Sequence, residues 1–202
     1  MAEHHAALEG RVAAHFSESA NLKLAASQSL AAPIARAGAL LARSLKQGGK
    51  VLACGNGGSA ADAQHFAAEL INRFEIERPP LAAVALTTDT STLTSIANDY
   101  AYQQVFSKQV RAFGRRGDVL LAISTSGNSA NVMDAIAVAH EAGISVVALT
   151  GNGGGKMSAM LSGEDVHVCV PHKKTARIQE VHLLALHCLC DIIDQELFPA
   201  KA

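Results

Sequence analysis

The sequence predicts an α/β fold, a three-layer αβα sandwich around a five-stranded parallel, flavodoxin-like sheet, with a helical arm at its N-terminus. Three observations predict it. From Lys50 onward, short apolar runs alternate with helical stretches, which is the pattern of βαβ units. Those runs end in Gly, Ser and Asn clusters, the turn chemistry that follows a strand. Before Lys50 no strand pattern occurs, only apolar residues at helical spacing.

The composition agrees. The chain has 202 residues, enough for one domain of ordinary size, residues 1–202, made of an arm (1–47) and an α/β core (48–202). About half of it (49%) is apolar, which supplies a sizeable core, and only 17% is charged, which argues against disorder. A net charge of −1 leaves no electrostatic footprint for nucleic acid or an anionic membrane, so neither is expected as a partner. No apolar stretch reaches the ~20 residues of a membrane-crossing helix, and the N-terminus lacks the basic region of a signal peptide. Four cysteines without a disulfide framework read as buried thiols in a reducing, cytoplasmic compartment.

The elements follow in order. Leu8, Val12, Phe16, Leu22 and Leu24 mark the first helix, and Ala32-Pro33 is expected to interrupt it. Ile34 resumes it, with Ala37, Leu40, Leu41 and Leu45 on one side, and Gly48-Gly49 stops it. This Ala-rich surface exceeds what one small sheet covers, so it is expected to pack against another copy of the chain. Strands are expected at 50–54, 81–86, 118–123, 145–149 and 166–170. Helices are expected at 59–73, 89–113 with a break near Asn98-Asp99, 130–142 and 175–197.

In such a sheet, ligands bind beyond the carboxyl ends of the strands. Two strand-to-helix loops stand out there. Cys54-Gly55-Asn56-Gly57-Gly58-Ser59 is neither a Walker A loop nor a dinucleotide fingerprint. It reads either as a backbone cradle for an anion at a helix start or as a glycine turn without ligand. Ser124-Thr125-Ser126-Gly127-Asn128-Ser129 reads either as a hydroxyl cradle for phosphate or as a helix N-cap. Capping needs one such residue, not a cluster. Without Lys or Arg, these loops suit a sugar phosphate better than a nucleoside triphosphate.

Two helices carry candidate chemistry. His65 and Glu69 are four apart, hence on one face, as a metal-binding or acid–base pair or an ordinary surface pair. Gln179 and His187 are eight apart, rotated by ~80° and ~12 Å along the axis, so spacing alone does not predict chelation. His187 reads equally as a core histidine. His182 reads as structural, and His4, His5, His15, His140 and His172 as surface residues without partners.

Gly-Asn-Gly-Gly-Ser, Gln64-His65-Phe66-Ala67 with Glu69, Ala97-Asn98-Asp99, the Ile-Ser-Thr-Ser-Gly-Asn-Ser loop and Arg177-Ile178-Gln179-Glu180 with His182 together resemble the sugar isomerase (SIS) domain. Within it they resemble the phosphoheptose isomerase family over nearly the whole chain. The resemblance implies the SIS fold, a homotetramer and active sites at subunit interfaces. It implies aldose–ketose isomerisation of sedoheptulose 7-phosphate to D-glycero-D-manno-heptose 7-phosphate through an enediol, the first step of bacterial ADP-heptose synthesis for lipopolysaccharide core. It places substrate contacts on Asn56, Gly57, Gly58, Ser59, Glu69, Asn98, Asp99, Ser124, Thr125, Ser126, Ser129 and Gln179. It assigns one zinc per subunit to His65, Glu69, Gln179 and His187, with Glu69 and His187 catalytic.

A related replication-initiator-associating protein shares the fold and most loop motifs, and resembles the chain also at Asn72-Arg73-Phe74-Glu75 and Cys188-Leu189-Cys190-Asp191. That branch binds the initiator protein and lacks Glu and His at the positions of Glu69 and His187, both present here. A third class, a SIS-type sugar-phosphate sensor, would need a DNA-binding segment that the sequence does not show. Ala176 is a departure, since some isomerases of the family carry Asp before Arg-Ile-Gln.

Overall fold

The computed structural model describes residues 1–199. It contains β1 (Val51–Gly55), β2 (Ala83–Ala85), β3 (Val119–Ser124), β4 (Ser145–Gly151) and β5 (Val166–Val170) in one sheet, in the order β2-β1-β3-β4-β5. Every neighbouring pair is parallel. Val51 stands opposite both Ala83 and Val119, and Val119 opposite Ser145. Every residue of β1 and β3 is buried, as central parallel strands covered on both faces require.

Alternate side chains feed two cores. Val51, Ala53, Leu121 and Ile123 point to one face, where they meet Leu41 of α1 (Ala2–Lys46), Phe66 and Leu70 of α2 (Gly58–Ile71), and Ile178 and Leu189 of α6 (Thr175–Leu197). Leu52, Cys54, Leu120 and Ala122 point to the other. There they meet Ile96 of α3 (Thr90–Asp99), Val110 of α4 (Ser107–Phe113) and Ile136 of α5 (Ala130–Glu141). Fully burying each such Leu, Ile or Phe contributes about 1.5–3 kcal/mol. Among the described residues no helix is long and apolar enough to cross a membrane.

Four expectations are corrected. Pro33 does not interrupt the first helix, which runs unbroken from Ala2 to Lys46. Proline removes the N–H that would bond the Ser29 carbonyl, but Ser29 is exposed, so its carbonyl is open to solvent and the loss is cheap. The second strand is three residues, not six, because the Leu81 amide bonds the Leu70 carbonyl at the end of α2 instead of joining a ladder. The fourth strand extends two residues further, to Gly151. Of the four free cysteines, only Cys54 and Cys190 are buried, and Cys169 and Cys188 are half-buried. The break near Asn98-Asp99 is present, where α3 ends and a turn at Tyr102–Gln104 leads to α4.

The segment after α2 is joined to α6 by a buried ion pair. Arg78 Nε donates to Asp194 Oδ1 at 2.8 Å. Breaking such a pair by removing one partner costs about 3–5 kcal/mol, because it strands the other charge.

Candidate active site

The strand order reverses between β1 and β3, so their loops flank the crevice where this topology binds ligands. The loop after β1 turns through Gly57, whose φ of 55° favours glycine. Gly58 is required for another reason. A Cβ there would lie 2.4 Å from Nε2 of Gln179, so α6 comes directly onto the loop. Asn56 is locked in a reciprocal amide pair: its Nδ2 donates to Asn131 Oδ1 (2.9 Å) and Asn131 Nδ2 donates back to Oδ1 (2.8 Å). The Tyr102 hydroxyl donates to the same Oδ1 at 3.1 Å. Ser59 is buried and its amide bonds the Asn56 carbonyl, so that amide does not face a ligand.

The loop after β3 gathers its hydroxyls. Ser124 Oγ lies 2.8 Å from Ser129 Oγ and 3.5 Å from Ser126 Oγ. Ser129 occupies the N-cap position of α5, yet its side chain makes no capping bond. Capping therefore does not explain the cluster, and the α5 N-terminus keeps amides for an anion. The third glycine-rich stretch, 151–155, buttresses this loop. Gly151 N donates to Thr125 O, Met157 N to Gly127 O, and Lys156 N to Asn128 Oδ1. The layers are so close that a Cβ on Gly127 would sit 2.0 Å from the Gly154 carbonyl oxygen. Asn98 and Asp99 end α3, exposed, with Asn98 Nδ2 donating to Asp99 Oδ1 at 2.8 Å.

The helices α2 and α6 meet rung by rung. Gln179 lies against Gly58, His187 against His65, and Asp194 against Arg78 beyond the end of α2. His65 Nε2 is 3.1 Å from His187 Nε2 and 3.2 Å from Glu69 Oε1. Phe74 closes the group from the side, its ring 5.6 Å from that of His187. A tetrahedral zinc with bonds of about 2.0–2.1 Å has ligand–ligand edges of about 3.3 Å, so both separations fit a shared metal. Two imidazoles, a carboxylate and an amide oxygen are also a donor set that zinc accepts. Among the described residues, no three His, Cys, Asp or Glu already surround one point. His65 is the shared vertex, and Gln179 stands one rung away.

The sequence model of the SIS domain family matches residues 14–151. A phosphoheptose isomerase of Azoarcus sp. (strain BH72) is 72% identical over 184 residues, 91% of this chain and 93% of that protein. The chain belongs to the phosphoheptose isomerase family. Solved structures agree. A phosphoheptose isomerase from Neisseria gonorrhoeae superposes with a TM-score of 0.88 at 58% identity, covering 93% of this chain and 99% of that one. One from Francisella tularensis superposes with a TM-score of 0.89 at 46% identity, covering 92% and 97%. These family members carry the isomerase name, which favours the enzyme over the initiator-binding adaptor.

Several residues of this family member were not legible in its sequence. Asn131 and Tyr102 hold Asn56, although neither has a motif of its own. Asp62, one turn before His65, buries Oδ2 without a partner. Burial pushes its carboxyl up to about 6, and the nearby His65 opposes the shift. His167 bonds Thr150 Oγ1 at 2.7 Å and packs under Gly154. His182 is structural, as expected: it is buried, and its Nε2 bonds the Thr150 carbonyl at 2.9 Å. His140 and His172 do have partners, contrary to expectation. His140 Nε2 is 2.8 Å from Asp165 and His172 Nε2 is 3.9 Å from Glu18, in each case a carboxylate distant in sequence.

Proposed function

We propose that the chain converts sedoheptulose 7-phosphate to D-glycero-D-manno-heptose 7-phosphate, with Glu69 and His187 moving the protons. The observation that carries this reading is the meeting of Glu69 and His187 around His65, beside two loops that offer hydroxyls and amides but no Lys or Arg. The Ser124, Thr125, Ser126 and Ser129 cluster takes the phosphate through O–H donors and the α5 N-terminus. Fixing that remote group orients the reacting carbons.

Glu69 takes a proton from C1 of the ketose, and an enediol forms between C1 and C2. The same carboxyl returns a proton to C2. One oxygen of Glu69 faces His65, which leaves the second for carbon. His187 carries the proton released by the C1 hydroxyl to the C2 oxygen, so atoms balance. His65, Glu69, His187 and Gln179 would hold one zinc, which supplies Lewis-acid polarisation of the carbonyl. Asn56, Gly57, Gly58, Asn98 and Asp99 line the sugar between the two ends. The apolar stripe of α1 at Leu8, Val12 and Phe16 is exposed, which suits contact with other subunits of a homotetramer. Free cysteines suit a cytoplasmic enzyme.

The test is aldose formation from sedoheptulose 7-phosphate by wild type, Glu69→Gln and His187→Gln. Wild type is expected to turn over, and each variant to lose at least about 100-fold in kcat. An inert, folded wild type supplied with zinc would sink the proposal.

A further inference from the structure

We propose that Arg78 is a positioning residue for the reacting pair, clamping the end of α2 to α6 through Asp194. The proposal rests on the reading of Glu69 and His187 as the reacting groups.

The guanidinium is spent on two tasks. It closes the end of α2: Nη2 donates to the Glu69 carbonyl (2.7 Å), and Nη1 donates to the carbonyls of Leu70 (2.7 Å) and, at longer range, Pro79 (3.2 Å) and Asn72 (3.4 Å). Those of Glu69, Leu70 and Asn72 are carbonyls that a helix ending at Ile71 leaves without intrahelical donors, and a cation there also complements the helix dipole. Its Nε meanwhile grips Asp194. The backbone of Glu69 itself is thus tied to α6.

Asp194 is on the stripe that carries the chemistry. His187, Cys190 and Asp194 follow one another at spacings of three and four, hence on one face of α6. Of the three rungs between the helices, the first rests on a glycine and the second on two partly open imidazoles. The third is a charge pair out of contact with solvent, with the side chains of Arg78 and Asp194 1% and 4% exposed. Asp194 Oδ2 makes no hydrogen bond to the described residues. Well-packed apolar groups in place of a buried ion pair are often as stable or more so, so stability alone does not account for the pair. A charged fork held in one orientation fixes distance and angle between two helices, which an apolar contact does not.

The test uses the intact protein and three measurements: steady-state kinetics with sedoheptulose 7-phosphate, zinc affinity by competition with a chelator, and thermal melting. Arg78→Lys keeps the charge but loses the fork. It is expected to lower kcat about 10–100-fold and weaken zinc by a similar factor, with KM little changed because the serine loop is untouched. The double variant Arg78→Met/Asp194→Leu replaces the pair with apolar groups. It avoids a stranded buried charge but still loses the bonds to the Glu69 and Leu70 carbonyls, so it is expected to melt below wild type and to keep the kcat loss. A double variant with wild-type kcat and zinc affinity would show a purely structural pair and overturn the proposal. So would Arg78→Lys with unchanged kcat. Wild type that forms no aldose but binds zinc refutes the isomerase reading alone, and the clamp is then judged on zinc affinity. Wild type that does neither overturns both.

Discussion

The Nε2 atoms of His65 and His187 stand 3.1 Å apart although 122 residues separate them in the chain. Two imidazole nitrogens hold such a distance across a shared proton or a shared cation. Titration with zinc followed by calorimetry is expected to give one site per subunit. His65→Asn is expected to weaken it at least about 100-fold, since one of few ligands is lost. Equal binding by variant and wild type would place the metal elsewhere.

Gly58→Ala separates stability from activity. Alanine in place of glycine within a helix normally stabilises by up to about 1 kcal/mol. Here the new methyl meets the amide end of Gln179, which can swing away. The variant is expected to melt at or above the wild-type temperature while kcat/KM falls at least about 100-fold. A variant with normal turnover would remove Gln179 from the site.

Ser129→Ala tests the hydroxyl cluster. A working N-cap loses about 1 kcal/mol on this change. Ser129 caps nothing and bonds only the Ser124 hydroxyl, so the stability loss should stay within about 1 kcal/mol, that one bond. Loss of one hydrogen bond to a charged phosphate should raise KM about 10-fold or more. A large drop in stability with KM intact would return the residue to ordinary capping.

Gly127→Ala should act in the opposite way, through the fold. The residue sits at φ 64°, and the added methyl would meet the Gly154 carbonyl oxygen at 2.0 Å. Neither backbone can yield without parting the two loops, and a loss of at least about 2 kcal/mol is expected in urea unfolding. Wild-type stability would show that the buttress is loose.

His182 predicts an acid limb in stability. Burial pushes its imidazole down to about 4, against a small opposing effect of the Thr150 carbonyl. Below its ordinary value of 6.5 the unfolded chain takes up a proton that the folded chain refuses. Stability is therefore present at neutral pH and lost as pH falls from 6.5 toward 4, by up to about 3 kcal/mol. Unfolding free energies across that range should fall more steeply for wild type than for His182→Asn, by up to one proton. Equal slopes would mean that the ring titrates normally.

The sheet and its loops were readable because each rests on local chemistry: apolar runs, glycine turns and helical spacing. Pro33 was misread because a proline breaks a helix only where its freed carbonyl has no water, and exposure of Ser29 is a tertiary fact. Arg78 and Asn131 were missed for a related reason. Each acts through a partner more than 70 residues away, Asp194 and Asn56, and no spacing rule reaches that far. Gln179 and His187 sat at a spacing that looked wrong for a shared site. It makes sense once α6 lies along α2, where eight residues of one helix match seven of the other.

His187 belongs to α6, 23 residues that follow all five strands in the chain. Ile178, Val181, Leu186, Leu189 and Ile193 of the same helix fill the core beneath the central strands. One helix therefore both closes a face of the sheet and carries a side chain to His65. A change that loosens α6 would cost the fold and the His65–His187 meeting together, so neither can be altered through this helix alone.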